Sequence, residues 1–262
     1  MSLKICVLGS GSKGNCTCVF GAETALLIDI GLPLIRVEKC LRLFSINPAQ
    51  VKVLVTHAHS DHVSGICKFV KKYNNAVYAT EQTKEELIVK YDVPSENIKV
   101  ISSSDFFVGE FIISPFKLSH DVPCVGFVIE NNGRRIAVAT DVGKLSDSNV
   151  KRLCGADLVV LESNHDEDML LANDKYAYYL KSRILSDKGH LSNESCAECA
   201  LKLAKNGVKQ IILAHLSQEN NLPELAFSTV RDKLEANGFC TSSTIRLEVA
   251  TQDKMSGLYE IV

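Results

Sequence analysis

The sequence predicts one domain of mixed α and β structure, in the α+β class, and three observations carry that prediction. Short apolar runs bounded by Gly, Asn, Asp or Pro alternate with segments whose apolar residues recur every three or four positions. Across 262 residues no linker, compositional shift or sharp repeat divides the chain, and 15 Gly with 6 Pro leave no room for a long low-complexity segment. Hydrophobic residues at 46% and charged residues at 23% are the proportions of a buried core with a solvated surface.

Taken in order, Ile5–Leu8 reads as a strand, the glycine-rich Gly9–Asn15 as a loop, and Thr17–Phe20 and Ala25–Ile28 as two further strands. Arg36–Phe44 has helical spacing behind Pro33, and the run Val51–Val55 is a strand. Val63, Ile66, Cys67 and Val70 share one helical face, which predicts a helix beginning immediately after Asp61 and His62. Val77–Ala79 is a short strand, Gln82–Tyr91 a helix, and Lys99–Ile101, Phe106–Val108 and Phe111–Lys117 three strands. Val125–Glu130 and Arg135–Ala139 flank Asn131-Asn132-Gly133-Arg134, which is hairpin turn chemistry. Leu158–Leu161 is a buried-type strand, Tyr176–Ile184 a helix, and Asn193–Asn206 a helix closed by Gly207. Ile211–Ala214 is the next buried strand, and Leu222–Asn237 is a helix stopped by Gly238. Ile245–Val249 and Gly257–Ile261 end the chain in β structure. This order puts one β-rich half on either side of about residue 145.

Net charge is −2, with a pI near 6.4. No basic excess advertises a nucleic-acid binder, although bound divalent cations would add positive charge where a phosphate must sit. The first residues lack the basic, apolar and small-residue segments of a signal peptide, and no apolar run reaches the length of a membrane span. Ten cysteines without an export signal are expected to be reduced thiols in a cytoplasmic protein. Cys196-Ala197-Glu198-Cys199 has redox or zinc spacing, but Cys196, Cys199, Ala200 and Leu203 share a helical face, so packing is the expected role.

The chemistry concentrates in Thr56-His57-Ala58-His59-Ser60-Asp61-His62, which spends three of the chain's seven histidines within six positions. Imidazole and carboxylate at that density point to a metal site on a strand-to-helix loop. Five apolar strands end in a side chain able to bind metal or move a proton: Val53–Val55 before His57, Phe111–Leu118 before His120, Ile136–Ala139 before Asp141, Leu158–Leu161 before Glu162 and His165, and Ile211–Leu213 before His215. Rigid strand ends can bring loops from distant parts of a chain to one edge of a sheet.

These residues, with Ser119-His120-Asp121, Thr140-Asp141 and Ala214-His215, resemble the metallo-β-lactamase-fold hydrolase superfamily over essentially the whole chain. Leu8-Gly9-Ser10-Gly11-Ser12-Lys13-Gly14-Asn15, Glu162-Ser163-Asn164-His165-Asp166 and Gly189-His190-Leu191-Ser192 resemble its WalJ (YycJ)-like branch. The resemblance implies an αββα four-layer sandwich, two mixed β-sheets flanked by helices, as a single domain over residues 1–262. It implies two divalent metal ions, Zn²⁺ or Mn²⁺ with Fe²⁺ also compatible. His57, His59 and His120 would hold one, Asp61, His62 and His215 the other, with Asp141 between them. The 73 residues between Asp141 and His215 are too few for the inserted domain of the β-CASP nucleases.

The function implied is hydrolysis of phosphodiester bonds, with DNA attacked from an end and Asp61 orienting the attacking water. His165 and His190, the histidines outside the ligand set, are candidates to stabilise developing charge or protonate the leaving oxygen. Asp29 is expected to support a ligand from behind. Ser10, Gly11, Ser12, Lys13 and Asn15 are candidates to hold substrate phosphate, since a loop of small residues can present backbone N–H groups to an anion; a plain tight turn explains the same residues equally well. Hydrolysis of a small ester, thioester or cyclic phosphodiester, a catalytically silent metal-binding regulator, and a two-iron oxidoreductase are the alternatives. No sequence feature speaks to oligomeric state.

Overall fold

The structure, a computed structural model, describes residues 2–261. In chain order it comprises β1 (Leu3–Gly9), β2 (Cys16–Phe20), β3 (Ala25–Ile28), α1 (Leu34–Leu43), β4 (Lys52–Leu54), α2 (Ser60–Val63), α3 (Ile66–Tyr73), β5 (Val77–Ala79), α4 (Glu81–Tyr91) and β6 (Ile98–Val100). There follow β7 (Phe106–Val108), β8 (Phe111–Leu118), β9 (Cys124–Asn131), β10 (Arg134–Ala139), α5 (Asp147–Leu153), β11 (Leu158–Glu162), α6 (Glu167–Ala172) and α7 (Tyr178–Ile184). The chain closes with α8 (Asn193–Lys205), β12 (Gln210–Ala214), α9 (Pro223–Glu235), β13 (Arg246–Val249) and β14 (Tyr259–Ile261).

Two mixed seven-stranded sheets result, in the orders β14-β1-β2-β3-β4-β5-β6 and β13-β12-β11-β10-β9-β8-β7. In the first, β3 through β6 are parallel and the pairs from β14 to β3 antiparallel; in the second, β10 through β13 are parallel. The parallel strands β3 and β11 are buried along their whole length. Such strands read as unbroken apolar runs because both faces are covered. Along the sequence the change of sheet falls between β6 and β7, not near residue 145, and β14 returns to the first sheet. Local pattern identifies a strand but not its partner.

By contacts the chain forms two compact units. One runs through Pro115 and adds Glu130–Gly133 and the chain from Gln252 onward; the other takes Phe116–Ile129 and Arg134–Thr251. The first has its own core, in which Leu27 and Val53 from the sheet meet Val37, Leu41, Ile66 and Phe69 from α1 and α3. The second buries Val159, Leu161 and Leu213 against Cys196, Ala200 and Leu203 of α8 and Val230 of α9. Cys196 and Cys199 lie in that core, and burial pushes the Cys199 thiol up to about 12. Their spacing serves packing.

Two local expectations are revised, and a third is met. The helix expected after Asp61-His62 begins inside the motif: His59 caps α2, and the helix breaks before α3. At the break the Gly65 N–H turns out to the Ile30 carbonyl at 2.8 Å, and a Cβ at Gly65 would stand 2.2 Å from the Leu32 carbonyl oxygen. Helices α5 and α6 escape prediction because they are too short for a periodic apolar stripe, although Ser146 and Asp166 cap them with side-chain bonds to Asn149 and Met169 N–H. The expected Asn-Gly hairpin is present, with Asn132 and Gly133 at φ 50° and 76° as its tight turn requires. No helix of the described residues is long and apolar enough to cross a membrane.

All ten cysteines are free, and Cys240 is the exposed one, with its thiol lowered to about 7 by hydrogen bonds to Ser242 and Ser243. At neutral pH a brief exposure to iodoacetamide should therefore alkylate Cys240 first, and Cys240→Ser should remove that fast site in a peptide mass map. Rapid labelling of Cys196 or Cys199 in the folded protein would contradict this packing.

Candidate functional site

The chemistry sits where strands end. Parallel β3 and β4 run out toward Asp29 and His57, and parallel β10, β11 and β12 end at Asp141, Glu162 and His215. Within a parallel sheet the carboxyl ends lie on one edge, so the side chains that follow them are neighbours. Asp29, Asp141 and His215 have φ of 61°, 62° and 57°. That left-handed region costs a residue bearing a Cβ about 1–2 kcal/mol, and such strain gathers at functional sites.

In the first unit the buried Asp29 organises the cluster. Its carboxylate accepts the Thr56 N–H at 2.9 Å, the Thr56 hydroxyl at 2.8 Å and His62 Nδ1 at 2.7 Å. Thr56 has one hydroxyl proton and gives it to Asp29. Its 3.0 Å contact with His57 Nδ1 must then run from imidazole N–H to hydroxyl oxygen. Both imidazoles thus keep their proton on Nδ1 and carry a lone pair on Nε2. The His57 ring lies 4.6 Å from that of His59 and 4.2 Å from that of His62, and Asp61 Oδ2 is 3.4 Å from His62 Nε2.

In the second unit the same part falls to Glu162, which has no exposed surface. Its Oε1 accepts His215 Nδ1 at 2.7 Å and His190 Nδ1 at 2.8 Å, and its Oε2 accepts the backbone N–H of Val142 at 2.8 Å and Leu191 at 3.1 Å. Burial works to raise the carboxyl pKa, but His190 and His215 outweigh it and hold Glu162 at about 2. For His190, burial opposes the charged form, and the charge and hydrogen bond of Glu162 prevail and raise its pKa. The Gly189 carbonyl, 3.2 Å from His120 Nδ1, fixes the His120 proton on that nitrogen. His120 Nε2, His190 Nδ1 and His215 Nε2 lie 3.9, 3.9 and 3.5 Å from Asp141 Oδ1. Asp141, Glu162, His190 and His215 each offer a ligand atom within 4.8 Å of the others.

Imidazole lone pairs beside carboxylates, with the far ring nitrogen bonded to a carboxylate, hydroxyl or carbonyl, are the donor set of a divalent-metal site. Metal binding fits these residues on the chemistry of the donors alone.

The glycine-rich loop divides. Ser10 and Asn15 are buried: Asn15 Oδ1 accepts the Ser10 hydroxyl at 3.1 Å and the Gly11 N–H at 2.9 Å, while Asn15 Nδ2 reaches Asp61 Oδ2 at 3.2 Å and His62 Nε2 at 3.1 Å. The loop is fastened to the histidine motif, a tie that sequence alone does not reveal. Ser12 and Lys13 stand exposed at its tip. His165 is buried beside Ser192, neither ring nitrogen has a hydrogen-bond partner among the described residues, and burial pushes its pKa down to about 4. Glu162 stood out in the sequence only as a strand-end acid; its hold on two histidines is visible only in the fold.

Comparison with known proteins agrees. The profile of the beta-lactamase superfamily domain matches residues 27–216. The chain is 38% identical over 245 residues to exodeoxyribonuclease YycJ of Bacillus anthracis, covering 91% of this chain and 92% of that one. It is 32% identical over 268 residues to exodeoxyribonuclease WalJ of Streptococcus pneumoniae, covering 100% and 99%. The crystal structure of the metallo-beta-lactamase fold protein YhfI from Bacillus subtilis superposes with a TM-score of 0.72 at 17% identity, over the whole of both chains. That likeness establishes the fold.

Two substitutions test this geometry. Asn tolerates the left-handed backbone of Asp29, so Asp29→Asn removes the charge behind His62 without new strain; divalent-metal affinity, read by chelator competition, should fall about 10–100-fold. Gly31 lies against the motif, and a Cβ there would stand 1.6 Å from the Asp61 carbonyl oxygen. Gly31→Ala should destabilise the protein by about 3 kcal/mol in urea denaturation, whereas Gly133→Ala, with nothing within 4 Å of its Cβ, should cost only the left-handed penalty of about 1–2 kcal/mol.

Proposed function

Since the chain belongs to the β-lactamase superfamily, and within it to the branch of the YycJ and WalJ proteins, we propose that it is a metal-dependent phosphodiesterase that degrades DNA from an end. The observation that carries this is the tautomer pattern: Asp29, Thr56, Gly189 and Glu162 each occupy a histidine Nδ1, leaving Nε2 of His57, His62, His120 and His215 as the basic nitrogen.

In this scheme His57, His59 and His120 would hold one divalent ion and Asp61, His62 and His215 a second, with Asp141 as a further ligand; Zn²⁺ and Mn²⁺ suit these donors, and Fe²⁺ is compatible. Bound there, two divalent ions supply Lewis acidity toward phosphoryl oxygens and lower the pKa of a water to near neutrality. The rest falls to the chain. Asp61 orients the attacking water, and Asn15, 3.2 Å away, holds the Asp61 carboxylate in place. His190 is partly exposed and backed by Glu162 at 2.8 Å, which suits it to hand a proton to the leaving oxygen. The free thiols support a cytoplasmic setting.

End-labelled single- and double-stranded DNA and RNA, incubated with the protein and Mn²⁺ or Zn²⁺, provide the test. Expected are stepwise loss of the DNA label, a fall of at least about 100-fold in Asp61→Ala, and abolition by chelator. Undiminished cleavage by Asp61→Ala would sink the mechanism. Turnover of a small chromogenic phosphodiester with no DNA cleavage would move the substrate to a small ester or cyclic phosphodiester.

A further inference from the structure

Acids outnumber bases over the whole chain, 31 to 29, yet α1 and α3 reverse the balance. Their sequences carry Arg36, Lys39, Arg42, Lys68, Lys71 and Lys72 against a lone acid, Glu38. Some of this charge has an internal use: Arg36 turns in to the Leu8 carbonyl at 2.8 Å, and Lys71 is paired with Asp92. Of the others, Lys68 and Lys72 face a groove in the first unit, about 640 Å³ in volume, that is lined also by Lys13, Ile35, Glu38 and Ser64. Lys13 and Lys68 are exposed and have no ion-pair partner among the described residues, whereas Lys72 meets Glu38 at 2.7 Å. A second depression of about 460 Å³ shares Glu38 and continues to Arg42.

The groove starts at the histidine motif. Ser64 is two residues beyond His62, and its hydroxyl donates to the Gly31 carbonyl at 3.0 Å. Lys13 sits on the loop whose Asn15 reaches Asp61. On the wall Ile35 is 80% exposed, an apolar surface beside unpaired ammonium groups. Cations that neutralise no protein acid, spaced along a groove and interleaved with an apolar side chain, complement a polymer with phosphates on one edge and sugars and bases on the other.

We infer that this groove binds the DNA strand that leads away from the metal ligands, with Lys13 and Lys68 meeting backbone phosphates and Ile35 packing against a sugar or base. The assignment rests on the phosphodiesterase function for its substrate. It adds a binding site, on α1, α3 and the Lys13 loop, that lies outside the ligand set.

Fluorescence anisotropy of labelled single-stranded and duplex DNA in chelator, over a range of salt, tests it without turnover. Lys13→Ala/Lys68→Ala should weaken single-strand binding about tenfold and reduce the slope of log affinity against log salt by roughly 1.4, two phosphates' worth. Lys68→Arg should keep both values, and Lys71→Ala, whose ammonium is engaged by Asp92, should bind as the unsubstituted protein does. Thermal unfolding confirms that each variant is folded. Unchanged affinity and salt slope in the double variant, with DNA still cleaved by the unsubstituted protein, would overturn the groove and leave the nuclease assignment standing. A protein that neither binds nor cleaves DNA would end both.

Discussion

Two buried carboxylates, Asp29 and Glu162, set the chemistry of everything around them. A carboxylate removed from water is costly unless donors surround it, and each of these has gathered its donors from histidines that carry the site. Asp29 takes a backbone N–H, a hydroxyl and the His62 Nδ1; Glu162 takes two backbone N–H groups and the Nδ1 of His190 and His215. An acceptor-only group facing Nδ1 fixes the proton there, and the lone pair on the far side of the ring follows. The tautomers of His62 and His215 are thus decided from behind the ring, by Asp29 and Glu162.

Of the two, Asp29 also sits on an unusual backbone. Asp29, Asp141 and His215 leave their strands in the left-handed conformation. Around Asp29 the loops close so tightly that glycine is required. Gly14 and Gly31 each lie where a Cβ would meet a backbone oxygen, at 2.4 Å from Gly31 and 1.6 Å from Asp61 respectively. Backbone bonds complete the weave: Asn15 N–H to the Asp61 carbonyl at 2.7 Å, Gly31 N–H to that of Asn15 at 2.9 Å, and Ile30 N–H to that of His62 at 2.8 Å. A rigid first unit holds the first four candidate ligands, so the strain is local and its support is the hydrogen-bonded loop set.

What the sequence discloses follows the same division between pattern and partner. Buried parallel strands announce themselves as apolar runs, and β3, β11 and β12 lie within a residue of where Ala25–Ile28, Leu158–Leu161 and Ile211–Ala214 placed them. The histidine motif is legible because imidazole is scarce and its spacing is short. Helix α2 is not, since its four residues hold too little apolar periodicity to show. The sheet to which β7 and β8 belong is equally hidden, because a strand's neighbours are chosen by surfaces that meet only after folding. Glu162 and Asn15 are the instructive cases: each is an ordinary polar residue by type, and only a partner 20 to 53 residues away, such as Val142, His215 or Asp61, makes it part of the site.

The ligand set and the substrate are therefore encoded by different kinds of residue. Metal-binding chemistry needs histidine and carboxylate at fixed geometry, so it concentrates at strand ends whose conformation the core dictates. A polymer substrate needs charge spread over a distance set by its own repeat, which helices supply from their solvent faces. In this chain the two lie on successive helices: α2 carries Asp61 and His62, and the exposed face of α3 carries Lys68 and Lys72. The Gly65 break that separates α2 from α3 lets the two tasks be oriented independently. A net charge near zero then conveys little about the ligand, because acids elsewhere offset a cationic face that is complete in itself.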